Sequence, residues 1–354
     1  LGLHRMMKSV ESLAFNTKRK RLWYSVYVTD RWCCAILGRP LAIADSDCDV
    51  DLSSADKLNP TEDLTIFLSF VKLSRILGEV LRRLYSPRAK ANGYKTSTVE
   101  QTVGSLQKML EDWYVGVPDD YKISESDLHN ILEDPSSFQG TIKITQGGPL
   151  TICYYAVVIL LHRPFVAMEK DAADMPFLAK SADVCISAAK LSIRIAQVVP
   201  SKSLIMFGWN SAGCAVYSAA LIHAFNTKNS DPKIASDARE FLRISIDEVL
   251  DPMSRDTPID NHMTTFLRAI PGILDRPSFT KESRQHKQNI QTPPPMSVQH
   301  ILSEYQEPEK DIDSSENLTS WLFSVPETSF WQSLFSNSGT LLQQETIGGG
   351  FENE

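Results

Sequence analysis

An acidic loop is the first part of the sequence whose residue types could bind a ligand. Its carboxylates stand at Asp45, Asp47, Asp49, Asp51 and Asp56. Carboxylate oxygens at alternate positions are typical of calcium-binding loops. Counted from Asp45, however, the sixth position holds Val50 where the sharp turn needs glycine, and the twelfth holds Asp56 in place of the bidentate glutamate. The spacing therefore favours a solvated acidic loop over a calcium site.

An arginine just before this loop offers the carboxylates a partner within the chain. Arg39 stands in the sequence Gly38-Arg39-Pro40, and its planar guanidinium can hold a carboxylate through two parallel hydrogen bonds. We predict that Arg39 pairs with Asp47 or Asp49 and fixes the loop. This prediction gives the acidic residues a structural role and assigns no metal or other cofactor to this chain.

Zinc binding and catalysis have little support in the sequence. None of the six cysteines has the spacing of a zinc site, and most lie in apolar runs, which favours buried free thiols. The seven histidines are scattered. The sequence contains no glycine-rich phosphate loop, no Gly-x-Ser-x-Gly turn and no His-Glu-x-x-His motif. We therefore predict that the chain is not an enzyme.

The acidic loop must be positioned by the helix that precedes it. Residues 17–37 contain neither glycine nor proline, and the run is too long for an ordinary strand. Gly38 and Pro40 predict the end of this helix. Asp30 and Arg31 interrupt its apolar surface, and they need partners or water because an unpaired buried charge is costly.

Apolar residues recur at helical spacing along most of the chain, and the alternation typical of strands is scarce. We predict further helices over residues 61–85, 97–115, 124–133, 150–163, 176–199, 203–226, 231–250 and 259–270. The predicted fold class is all-α, an irregular multi-helix bundle followed by a mostly disordered acidic C-terminal tail. The longest apolar run, 150–161, is too short to cross a bilayer, so we expect no membrane partner.

The composition changes near residue 276. The whole chain has a net charge of −7, which argues against nucleic-acid binding through its overall field. Residues 276–354 hold eleven acidic and five basic side chains, so the tail carries nearly all of the acidity. We therefore divide the chain into a regulatory domain, 1–275, and a disordered tail, 276–354.

One segment of the tail, 301–335, combines carboxylates with aromatic side chains. Its candidate activation residues are Trp321, Phe323, Phe330, Trp331 and Phe335. The carboxylates keep such aromatics solvated in the free chain, and a coactivator groove can bury them as a short helix. This composition is typical of a transcriptional activation segment. The alternative is a tail whose aromatic residues dock on the helical core.

The signature of the first helix and loop is a basic-aromatic helix, an Asp-Arg pair, Gly-Arg-Pro and an acidic loop. It is carried by Arg21, Trp23, Asp30, Arg31, Gly38, Arg39, Pro40, Asp47, Asp49 and Val50. This run resembles the middle homology region of fungal binuclear zinc-cluster transcription factors. Looser matches follow at 154–165 and at Trp209, Cys214 and Tyr217, so the resemblance extends over residues 1–275.

The resemblance implies the regulatory region of a nuclear factor that controls RNA polymerase II transcription. It implies that DNA is bound through a zinc cluster upstream of Leu1, so that the chain is N-terminally incomplete and zinc belongs to the upstream module. It also implies coactivator or mediator proteins as partners, a homodimer and a small-molecule effector. The alternative is a helical adaptor or co-regulator without a DNA-binding module of its own.

A ligand pocket for such an effector is expected among the helices, since helical bundles often enclose apolar cavities with a few polar groups. The candidate lining residues are Tyr154, Tyr155, Trp209, Asn210 and Tyr217, whose polar tips suit a partly apolar pocket. For each of them alone, a place in a closed core is the alternative.

Overall fold

The computed structural model describes residues 2–6, 13–50, 63–166, 176–208, 210–255, 264 and 267–269. Several predicted residues lie outside this part of the chain, namely Asp51, Asp56, Trp209 and the whole tail, with Trp321, Phe323, Phe330, Trp331 and Phe335. The described residues form helices joined by short turns, without a strand among them. The predicted all-α, multi-helix fold is confirmed.

The helices are described below by number. In chain order they are α1 (Leu13–Leu37), α2 (Thr65–Val80), α3 (Pro87–Asn92), α4 (Ser97–Gly116), α5 (Glu125–Glu133), α6 (Pro135–Phe138), α7 (Gly148–Val166), α8 (Pro176–Val198), α9 (Ser201–Met206), α10 (Ser211–Asn226), α11 (Pro232–Ile244) and α12 (Asp251–Arg255). Wider π-helical turns extend α2 over Leu81–Tyr85, precede α7 over Lys143–Gly147 and extend α11 over Ser245–Leu250.

Local capping explains where several helices begin. Ser124 caps α5, since its hydroxyl accepts a hydrogen bond from the Asp127 N–H at 3.1 Å and the Asp127 carboxylate accepts one from the Ser124 N–H at 2.9 Å. Thr96 caps α4 by accepting from the Val99 N–H at 3.3 Å. Helix α4 therefore begins at Ser97, as predicted, and the hydroxyl of the preceding threonine caps it.

The core is built around α7. This helix packs against α8 and α10 and also contacts α2 and α4. Its side chains are buried almost all the way round, as expected for a helix with neighbours on every side. The helical segment 143–166 is long and apolar enough to cross a membrane. The apolar run 150–161, which was used for the prediction from the sequence, is only its central part. Since 78% of the most apolar window of 143–166 is buried inside the protein, this is the pattern of a core helix.

Helix α7 also continues through a proline. The sequence predicted an end at Arg163, but the helix runs on to Val166 with Pro164 inside it. Pro164 has no N–H to donate to the carbonyl of Leu160, four residues earlier. The hydroxyl of Tyr85 donates to that carbonyl at 2.6 Å. A tertiary hydrogen bond thus replaces the missing helical one and allows the helix to continue.

The helix predicted over residues 203–226 is instead two helices, α9 and α10. The break contains Gly208 with φ 56° and Asn210 with φ 66°, and both residue types tolerate this left-handed region. A Cβ atom at position 208 would lie 2.6 Å from the ring of Phe70. The break between α9 and α10 therefore needs a glycine at position 208, because Phe70 of α2 packs closely against its backbone.

Candidate functional site

The signature residues of α1 surround a buried arginine. Arg31 is only 1% exposed, and its guanidinium donates to Asp30 Oδ2 at 2.6 Å and to Asp45 Oδ1 at 3.0 Å. The Tyr27 ring centroid lies 3.8 Å from Arg31 Cζ, and the Tyr27 hydroxyl donates to Asp45 Oδ1 at 2.8 Å. Burial raises the pKa of this tyrosine. We call these four residues the Arg31 cluster.

The Arg31 cluster joins the end of α1 to the acidic loop. Asp30 Oδ1 accepts a hydrogen bond from the Ala42 N–H at 3.0 Å, and Oδ2 accepts from the Ile43 N–H at 3.4 Å. The helix ends in between at Gly38, whose φ of 65° is the left-handed conformation of a helix C-terminus. The Asp30 side chain therefore binds both Arg31 and the backbone of the residues that follow the turn.

The predicted pairing of Arg39 with Asp47 or Asp49 is wrong within the described residues. Arg39 is exposed beyond the end of α1, and Asp47 is exposed as well. Asp49 instead lies 3.5 Å from Nε of Arg5, in the opening segment of the chain. The arginine that does bind the loop is Arg31, because its position on the helix directs its side chain beneath the returning backbone.

Other signature residues support the packing of α1. Trp23 is buried, and its ring centroid lies 6.1 Å from that of His4. Trp32 stacks on Phe70 at 5.3 Å and donates from Nε1 to Ser74 Oγ at 2.9 Å, which ties α1 to α2. In the described part of the chain, no group of three or more His, Cys, Asp or Glu residues could hold a metal ion.

The residues predicted to line a pocket are distributed over two regions. Tyr154 stacks on Trp113 at 5.6 Å and lies 5.2 Å from the ring of Tyr155. Tyr217 belongs to a different neighbourhood, where burial raises its pKa to about 12 and the hydroxyl of Ser254 lies close to it. Tyr154 and Tyr155 therefore have different neighbours from Tyr217, and their predicted role in a pocket stays a prediction.

A small cavity lies between α1, α2, α7 and α10. Its volume is about 60 Å³, enough for a few water molecules and well below the ~150 Å³ of a cavity that binds benzene. Tyr154, Tyr155, Asn210 and Tyr217 do not line it. The side chains that line it are mostly apolar and include Trp32, Ile36, Leu77, Leu160, Arg163 and Leu221.

Arg163 is the charged residue of this cavity. Its Nε and Nη2 atoms are shielded from solvent and have no hydrogen-bond partner in the described structure. Its Cζ lies 5.6 Å from the ring centroid of Tyr85, and the hydroxyl of that tyrosine donates to the carbonyl of Leu160. Among the described residues, Arg163 binds neither a carboxylate nor a carbonyl at the end of α7.

The buried histidines are not poised for acid–base chemistry at neutral pH. Burial lowers the pKa of His162 to about 4, with Lys180 adding to the effect, and burial lowers the pKa of His223 to about 3. Burial also raises the pKa of the Cys214 thiol, which lines the cavity, to about 12. These groups are therefore neutral near pH 7, and neither histidine lines the cavity around Arg163.

Comparison with known proteins gives a match over the part of the chain that contains the Arg31 cluster. Residues 1–115 match the model of the fungal specific transcription factor domain. This segment of the chain is therefore similar to the fungal specific transcription factor domain. The predicted resemblance to this family is confirmed.

Curated relatives of this domain extend the match along the chain. The chain is 28% identical over 209 residues to an uncharacterized transcriptional regulatory protein, C3C7.04, of Schizosaccharomyces pombe, which covers 57% of this chain and 24% of the relative. It is 27% identical over 259 residues to the transcriptional activator protein acu-15 of Neurospora crassa, covering 68% of this chain and 26% of the relative.

A third relative matches over most of the chain. It is the cutinase transcription factor 1 alpha of Fusarium vanettenii, 24% identical over 322 residues, which is 84% of this chain and 32% of that protein. The chain thus spans about a quarter to a third of the length of these relatives. No solved structure matches.

The transcription factor domain and the cavity overlap only in part. The Arg31 cluster and the α1 and α2 walls of the cavity fall within residues 1–115, whereas α7 and α10 follow that segment. The matched segment therefore has no separate core, since its first two helices complete a cavity whose other walls come later in the chain.

Proposed function

We propose that this chain is the regulatory region of a fungal zinc-cluster transcription factor that acts in the nucleus on RNA polymerase II transcription, and that it is not an enzyme. The observation that carries the proposal is the match of residues 1–115 to the fungal specific transcription factor domain. The printed names of the relatives, a transcriptional activator and a cutinase transcription factor among them, support the same function.

The proposal assigns the parts of the factor to different segments. The helical region regulates, the acidic-aromatic segment 301–335 recruits coactivator or mediator proteins, and a zinc cluster upstream of Leu1 binds DNA, with zinc confined to that module. Homodimer formation and a small-molecule effector belong to the same proposal. An effector would act by favouring one of two conformations of the helical region, as any ligand with different affinities for two states does.

A tethering experiment tests the activating role of the tail. The full chain is fused to a heterologous DNA-binding module, and the output of a reporter gene is measured in a fungal host. Replacing Trp321, Phe323, Trp331 and Phe335 together by alanine should abolish the output, because the coactivator groove loses the side chains that it buries.

A matched control replaces four serines of the same segment, Ser314, Ser315, Ser320 and Ser324, by alanine. This variant should keep the output of the parent. Equal output from the aromatic variant and the parent, at equal protein levels, would contradict the activating role.

The upstream reading frame tests the DNA-binding role. A basic module with six cysteines just before Leu1 supports a zinc-cluster factor, since such a cluster needs thiolate ligands close together. A reading frame without this module would favour the helical adaptor instead.

A further inference from the structure

We propose that the cavity between α1, α2, α7 and α10 is a binding site for a small apolar carboxylic acid, held as its carboxylate by Arg163. This inference is independent of the proposed function, because it rests on the contacts of the cavity alone. It names a ligand class and a set of lining residues that differ from those indicated by the sequence.

The guanidinium of Arg163 lacks acceptors for two of its donor atoms. Nε and Nη2 are buried without an acceptor, and no ion pair of Arg163 is found among the described residues. Arg163 as a whole is half-buried, but a shielded donor without an acceptor still costs stability. An anion in the cavity would remove this cost.

The two donor atoms of Arg163 without an acceptor are placed to bind a carboxylate. Nε and Nη2 lie on the same edge of the planar guanidinium, which is the edge that forms two parallel hydrogen bonds with a carboxylate. Ser211 and Ser218 also line the cavity. Ser211 donates its proton to the Gly208 carbonyl at 2.5 Å, so its oxygen remains an acceptor only.

The surface of the cavity around Arg163 is mostly apolar. Trp32, Leu77 and Leu160 come from three different helices and line the same space. An inorganic anion would leave this surface without a partner, whereas a short alkyl chain attached to the carboxylate would cover it and gain the free energy of apolar burial. The volume of about 60 Å³ limits the enclosed part of the ligand to a few atoms.

The test uses butanoate as the probe and butanamide as its neutral match. Both are titrated into the purified full chain, and binding is followed by calorimetry and by the shift in melting temperature. Butanoate should bind in the millimolar range expected for so small a ligand and raise the melting temperature. Butanamide should bind far more weakly, because it brings no charge to the guanidinium.

Variants of the cavity locate the binding. Arg163→Met keeps most of the length of the side chain and removes its donors, and it should weaken butanoate binding by about tenfold to hundredfold. Without ligand, this variant should melt close to the temperature of the parent, since the half-buried guanidinium has no ion pair to lose. Ala156→Leu should reduce binding by filling the cavity, while Arg243→Met, at an exposed arginine in α11, should leave binding unchanged.

Three results of the butanoate titrations would overturn the proposal. They are equal binding of butanoate and butanamide, undiminished binding to a folded Arg163→Met variant, and the absence of saturable binding to the parent chain. Saturable binding of chloride or formate as strong as that of butanoate would also overturn it, because the site would then select an anion without the apolar group. Reporter activity is not a readout here, so failure of the proposed function and failure of this site are distinguishable.

Discussion

The guanidinium of Arg31 lies directly against the backbone of Gly78. A Cβ atom added at position 78 would lie 3.2 Å from Arg31 Nε and 3.5 Å from Arg31 Cγ. Both residues are buried, and Nε has no hydrogen-bond partner in the described structure. The absence of a side chain on α2 thus creates the space in which an arginine from α1 can reach the acidic loop.

Replacing this glycine should therefore destabilise the protein. Gly78→Ala should lower the free energy of unfolding by about 1–3 kcal/mol, because the arginine must shift within a closely packed site. Gly104→Ala is the matched control, since Gly104 is also helical but has no atom within 4 Å of an added Cβ. The control should stabilise the protein by up to about 1 kcal/mol through helix propensity. Urea unfolding of both variants measures the difference, and equal effects would contradict the packing argument.

Arg31 and Arg39 should respond very differently to substitution. Arg31→Met leaves Asp30, whose side chain is only 9% exposed, without its cation, and it should cost about 3–5 kcal/mol. Arg39→Met removes an exposed side chain and should change stability by no more than about 0.5 kcal/mol. Thermal unfolding compares the two variants. A larger loss for Arg39→Met would restore the pairing first expected from the sequence.

Tyr85 should be coupled energetically to Pro164. Tyr85→Phe leaves the buried Leu160 carbonyl without its donor and should cost about 1–3 kcal/mol. Pro164→Ala restores the backbone N–H that can donate to the same carbonyl. The cost of Tyr85→Phe should therefore be smaller in the Pro164→Ala background, and a double-mutant cycle measures this coupling. Strict additivity of the two changes would contradict the replacement of one hydrogen bond by the other.

The two buried histidines should make stability depend on pH. Their pKa values are lowered, to about 4 for His162 and about 3 for His223, so the unfolded chain binds more protons than the folded one below its ordinary histidine pKa of about 6.5. The contribution of the two neutral histidines to the free energy of unfolding is fully present above pH 6.5 and is lost as the pH falls toward 4. Each histidine should lower the free energy of unfolding by up to about 1.4 kcal/mol per pH unit in this window.

Urea unfolding between pH 7 and pH 5 measures this dependence. His162→Gln together with His223→Gln should flatten the pH profile, even if the variant is less stable at pH 7. His129→Gln is the control, because His129 is 73% exposed beside Glu133. An unchanged slope in the double variant would show that other groups cause the pH dependence.

Much of the local structure follows from short stretches of sequence. Ser124 with Asp127 specifies the start of α5, and Gly38 with Pro40 specifies the end of α1, because the groups that satisfy the helix termini are neighbours along the chain. The continuation of α7 through Pro164 could not be predicted from neighbouring residues. The hydrogen bond that Pro164 cannot donate is replaced by one from Tyr85, which is distant in the sequence. The break before α10 likewise depends on the packing of Gly208 against Phe70.

The candidate sites show the same division. The Asp-Arg pair and the acidic loop could be recognised as partners by charge, but two arginines were available, and only the direction of α1 decides between Arg31 and Arg39. Arg163 was visible as a charged residue at the end of an apolar run. Its lack of an acceptor became apparent only when α1, α2 and α10 were in place around it.

Residue types and short spacings were enough to predict that the chain is helical, that its signature resembles a fungal transcription factor domain and that its net negative charge is concentrated after residue 276. These properties depend on residue types and on spacings within a few turns of helix. Only the tertiary structure shows that Arg31 binds the acidic loop and that Arg163 lines an apolar cavity. Both outcomes depend on burial, and burial is set by helices that are far apart in the chain.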